Sequence, residues 1–119
     1  MITNNPNFLN MPIIDLSYLQ ITFGDSQEMI KLVIDLFINQ TPGQIREMKQ
    51  EIIDNKPENV KRIAHKLKSS FLTIGAMEIA NKLEYIEQKA GETEINEIAS
   101  LADTIASDNL KVITELKNL

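Results

Sequence analysis

The sequence predicts an all-α fold: an antiparallel four-helix bundle preceded by a short extra helix. Three observations predict it. Apolar residues recur at spacings of three and four through four long segments, the period of a helix with one buried face. No segment alternates apolar and polar residues with Val, Thr or Tyr enrichment, and no Asn-Gly or Asp-Gly pair marks a hairpin. Helix-ending and helix-starting residues, Gly24, Pro57, Gly75 and Gly91, separate the segments.

Taken in order, residues 1–12 are Asn-rich and interrupted by Pro6 and Pro12, so they read as an irregular lead-in in which only Phe8 and Leu9 are suited to packing. Residues 13–119 then form the helical domain. Asp15 is placed to cap a short helix over 16–21, and Gly24 to end it. Asp25 or Ser26 opens a long helix over about residues 26–54, with Met29, Ile30, Val33, Phe37, Ile38, Ile45, Met48 and Ile52 at helical spacing. Pro42 falls in its middle, removing one backbone donor, and is expected to kink rather than split it. Pro57 suits the first turn of the next helix, where its missing N–H would be unpaired anyway, and Glu58 complements the helix dipole. That helix should run to about Thr73 and end at Gly75 in a left-handed cap. Residues 76–90 form another, with Ile79, Ala80, Leu83, Ile86 and Ala90 on one side. Thr93, with Asn96 or Glu97 three or four residues on, opens the last, which carries Ile95, Ile98, Ala99, Ala102, Ile105, Val112, Ile113 and Leu116. Ser107-Asp108-Asn109 is its expected weak point. Short loops between four such helices imply antiparallel neighbours.

Composition narrows the function. A chain of 119 residues suits one domain, and at this length roughly two-thirds of the unfolded surface is buried on folding. No cysteine and one histidine exclude a disulfide framework, a thiol nucleophile and a multi-histidine metal site, so no metal centre is expected. Any imidazole chemistry must belong to His65. With 12 Lys+Arg against 17 Asp+Glu the net charge is -5, which argues against nucleic acid as a partner. No apolar run suits a membrane span and the first residues lack the pattern of an export signal, so a cytoplasmic protein is expected.

His65 lies in the helix opened by Pro57. With Val60 at zero and about 100° per residue, Ile63, Ala64, Leu67, Phe71 and Ile74 fall within roughly 60° of it, while His65 sits at about 140°. The apolar stripe is therefore buried and His65 faces solvent. Lys68 and Ser69, three and four residues on, are its helical neighbours, so an ammonium and a hydroxyl flank the ring. A neutral imidazole offers a nucleophilic lone pair, and a phosphoryl group on it could be met by Lys68 and hydrogen-bonded by Ser69. Leu72 adds an apolar residue on the exposed side, as a docking surface would need, and Lys61, Lys66 and Lys68 predict a locally basic spot.

The stretch Ala64-His65-Lys66-Leu67-Lys68-Ser69-Ser70-Phe71-Leu72-Thr73-Ile74-Gly75-Ala76 resembles the signature of histidine-containing phosphotransfer (HPt) domains, roughly A-H-x-L-K-[GS]-S-x-x-x-[LIV]-G-A. Ile79, Leu83 and Ile86-Glu87 resemble the helix that follows in that family. Upstream, Ile14 to Leu19, the Gly24-Asp25 turn and the Leu36 to Pro42 segment resemble its entry and second helices. The resemblance implies a phosphocarrier without kinase activity, whose His65 takes a phosphoryl group from a receiver-domain aspartate and gives it to another. It also implies Lys68 as charge partner, Ser69 as the small neighbour where many members have glycine, and Gly75 as the helix end. Lys61, Leu72, Glu87 and Gln88 become docking residues, Glu87 or Gln88 standing where members often carry a glutamine within reach of the imidazole. The implied partners are receiver domains of response regulators and hybrid histidine kinases, with Mg2+ on the receiver and no cofactor on this chain. A complete bundle points to a monomer.

Two neighbouring readings fit less well. Kinase phosphorylation helices usually place an acid immediately after the histidine and a proline five residues on, where this chain has Lys66 and Ser70, and no G-x-x-x-x-G-K-[ST] loop is present. A sugar-transport phosphocarrier would need strands. The competitor from another class is a helical adaptor in which His65 is inert and the apolar faces bind a partner helix.

Overall fold

The computed structural model describes residues 13–119, and the expected lead-in, residues 1–12, lies outside them. Five helices follow: α1 (Ser17–Phe23), α2 (Gln27–Ile53), α3 (Pro57–Thr73), α4 (Met77–Lys89) and α5 (Ile95–Lys117). Among the described residues there is no strand. Helix α2 packs on α3 and α5, and α4 packs on α3 and α5, so the four long helices close a ring while α1 rests on α2. The expected bundle with a short extra helix is the observed architecture.

Helix ends follow the chemistry of their residues. Asp15 Oδ1 accepts from the Ser17 hydroxyl at 2.6 Å and from its N–H at 2.9 Å, fixing the start of α1 and holding the Asp15 carboxyl below its ordinary range. Ser26, not Asp25, caps α2, its hydroxyl accepting from the Met29 N–H at 3.4 Å. Ahead of α5, the Thr93 hydroxyl donates to Glu97 at 2.6 Å, and Tyr85 of α4 donates to the same carboxylate at 2.6 Å.

Pro42 leaves α2 a single helix of 27 residues. Phe37, Ile45 and Met48 are buried on either side of it, and their burial offsets the one missing backbone bond. Next to the proline, Thr41 is buried and donates to the Phe37 carbonyl at 2.9 Å, and its oxygen accepts from Asn109 Nδ2 of α5 at 3.0 Å. The expected weak point in α5 is thus a polar tie: Asn109 bonds α2, and Asp108 accepts from Lys82 of α4 at 2.7 Å. The helix passes through it unbroken. Two residues counted on the apolar faces, Met29 and Ile95, are exposed, because each lies in the first turn of its helix. On α2, Ile34 joins the buried face instead.

The core stripe of α3 is as the wheel predicts: Val60, Ile63, Ala64, Leu67, Phe71 and Ile74 are all buried. The helix ends as a Schellman turn, with the Ala76 N–H bonding the Phe71 carbonyl at 2.9 Å and the Gly75 N–H the Leu72 carbonyl at 3.0 Å. Gly75 has φ 73°, and a Cβ there would collide with the Asp15 carbonyl oxygen, because the Asp15 N–H bonds Ile74 O at 2.9 Å and lays the entry segment across the helix end. Gly75→Ala should therefore cost more than the about 1–2 kcal/mol of a left-handed non-glycine residue, since the Asp15 peptide must also move. A urea-unfolding midpoint equal to that of the parent chain would disprove this.

Candidate functional site

His65 sits on the outward side of α3 with its side chain 63% exposed, as its place opposite Val60 and Leu67 requires. Its partner comes from the next helix. Leu83 and Ile86 of α4 are fully buried against the core, so Glu84 and Glu87, each one residue on, flank that stripe on the side facing α3.

Glu87 Oε2 lies 2.8 Å from His65 Nδ1, and its other oxygen accepts from Lys68 Nζ at 3.0 Å. Lys68 also donates to Glu84 Oε1 at 2.6 Å, and Glu84 Oε2 accepts from Gln88 Nε2 at 2.9 Å. The result is a chain of contacts, His65 to Glu87 to Lys68 to Glu84 to Gln88, strung between α3 and α4. Partial burial opposes the charge on Glu87, but hydrogen bonds from Lys68 and His65 outweigh it and hold the carboxyl below the usual range. Hydrogen bonds to Glu84 and then Glu87 hold the Lys68 ammonium above the usual lysine range. An ionised carboxylate only accepts, so the ring nitrogen facing Glu87 carries the proton. In the neutral ring the lone pair is then on Nε2.

Several expectations change here. Of the two candidates for the residue facing the ring, Glu87 takes the place and Gln88 turns to Glu84. Lys68 adds no free charge to the expected basic spot, being only 20% exposed and bridged to two carboxylates, which leaves the exposed Lys66 and the half-buried Lys61 to form it. Counting charges along α3 alone missed the α4 carboxylates, although the Glu84-x-x-Glu87 pair beside Leu83 and Ile86 was the signal for them. Ser69 is exposed and turns its hydroxyl back to the His65 carbonyl at 3.4 Å, away from the ring. Leu72 is 40% exposed on the face that carries His65, and Lys61, one turn before the histidine, is half-buried. Gly75 closes the helix, as expected.

A family model described as the Hpt domain matches residues 32–118, which takes in most of α2 and the whole of α3, α4 and α5. The chain belongs to the Hpt domain family. No curated protein and no solved structure matches it significantly. Hpt domains are phosphocarriers of two-component phosphorelays and work with receiver domains. Among the described residues no group of three or more His, Cys, Asp or Glu side chains could hold a metal ion, and no helix is long and apolar enough to cross a membrane.

Proposed function

We propose that this Hpt domain relays a phosphoryl group through Nε2 of His65, taking it from the aspartyl phosphate of one receiver domain and giving it to the aspartate of another. The observation that carries this reading is the bond between Glu87 and His65 Nδ1, made by a histidine whose ring is otherwise open to solvent. In the first transfer the Nε2 lone pair attacks phosphorus, the bond from phosphorus to the aspartyl oxygen breaks, and the carboxylate leaves. The ring gains positive charge as the new N–P bond forms. Glu87, hydrogen-bonded to Nδ1–H, stabilises that charge and holds the ring at one orientation, which is the positioning contribution that in-line transfer needs.

Reversal on a second receiver returns the lone pair to Nε2. Mg2+ and the groups that bind the phosphoryl oxygens come from the receiver in this scheme, and Leu72 and Lys61 lie on the surface that would meet it. An inert helical adaptor gives no reason for a half-buried carboxylate to be aimed at an exposed ring. The test is direct: incubated with a receiver domain carrying radiolabelled aspartyl phosphate, the chain should take up label that is acid-labile and alkali-stable. Failure of transfer from every receiver of the source organism would overturn the reading.

A further inference from the structure

We infer that Glu84 is a positioning residue that holds Lys68 away from the phosphoryl group and so keeps phosphorylated His65 a ready donor. The inference rests on the reading of His65 as the phosphoryl carrier. Its starting point is where Lys68 lies. The ammonium is on the far oxygen of the carboxylate whose near oxygen bonds Nδ1, so it belongs to the Nδ1 side of the ring. A phosphoryl group grows on Nε2, the other side.

Lys68 has three N–H donors, and two are already given to α4. Of these the contact with Glu84, at 2.6 Å, is shorter than the one with Glu87, at 3.0 Å. Glu84 is in turn fixed by Gln88, so its carboxylate does not have to be ordered afresh for each contact. A phosphoryl oxygen on Nε2 must compete with Glu84 and Glu87 for the Lys68 ammonium. Part of the charge stabilisation that a free ammonium would give the phosphohistidine is thereby withheld. For a relay this is useful, because a carrier that binds its phosphoryl group too well does not pass it on. Glu87 is required for the ring itself, which leaves Glu84 as the residue able to set the balance without disturbing the imidazole.

The experiment avoids any partner by using phosphoramidate as donor and ammonia as leaving group. Nε2 attacks phosphorus, the bond from phosphorus to the donor's nitrogen breaks, and ammonia departs with a proton from the medium. In a phosphoramidate and ammonia mixture set so that the parent chain is half converted, 31P NMR gives the ratio of phosphorylated to free His65. Glu84→Gln should raise that ratio by about 3- to 10-fold, the order expected for one partly screened unit charge near a surface phosphoryl group. In a Lys68→Ala background the same change should raise it by less than about 2-fold, since the tether then has nothing to release. An unchanged or lowered ratio in Glu84→Gln would overturn the inference. So would an equal gain with Lys68 absent, which would make Glu84 a bare repelling charge. If phosphoramidate modifies no histidine in the parent chain, the reading of His65 falls instead, and the inference with it.

Discussion

His65→Gln is expected to take up no acid-labile label from a phosphorylated receiver domain while keeping the fold of the parent chain. Loss should be complete, not partial, because an amide has no nucleophilic nitrogen lone pair and the chain contains no second histidine to take over. The fold should survive because the side chain is 63% exposed and lies outside the packed stripe of α3. Glutamine can still donate an N–H to Glu87, and Lys68 continues to neutralise that carboxylate, so no buried charge is orphaned. Stability should then change by no more than about 0.5 kcal/mol, the usual range for surface positions. Two measurements on one preparation decide the matter: retention of label after alkali and the urea-unfolding midpoint. Label that persists in a folded variant would remove His65 from the mechanism.

The parts of this molecule that were legible in the sequence are those set by a single helix. Burial of Val60, Leu67 and Phe71, exposure of His65 and the turn at Gly75 follow from spacing within α3 and from the conformational range of glycine, which need no knowledge of a neighbour. The charge environment of His65 was not legible in the same way. It depends on which residues of α4 stand level with it, and a relative shift of two helices by one turn, about 5.4 Å, would replace Glu87 with a different side chain. The bond between Asn109 and Thr41 was hidden for the same reason, since the two residues are 68 positions apart. Polar residues inside a helical segment read as a weak point when the partner across the bundle is unknown. Here the partner turns Asn109 into a tie between α2 and α5 at the level of Pro42.

The second large effect concerns the scaffold beneath the histidine. Phe71→Ala should destabilise the domain by about 3–5 kcal/mol, because a fully buried phenyl ring is removed and the surrounding helices close the gap only in part. Phe71 also meets Phe37 edge to face, with ring centroids 5.0 Å apart and planes at 88°, a geometry that contributes about 0.5–1.5 kcal/mol beyond burial. That contact joins α3 to α2. Against the roughly 5–15 kcal/mol that holds a domain of this size together, the loss removes a large share of the total and at the lower end leaves the variant close to unfolding at room temperature. A urea midpoint within experimental scatter of the parent chain would show that the ring is not the packing element its position indicates. Function separates the two roles of α3: Phe71 lies on the core side of the helix and His65 on the solvent side. Label per folded molecule, with the folded fraction taken from circular dichroism in the same buffer, should therefore stay close to that of the parent chain while total label falls. A drop in label per folded molecule would mean that the Phe71 packing also sets the position of His65 against Glu87, and that the site is built from the core outward rather than laid on top of it.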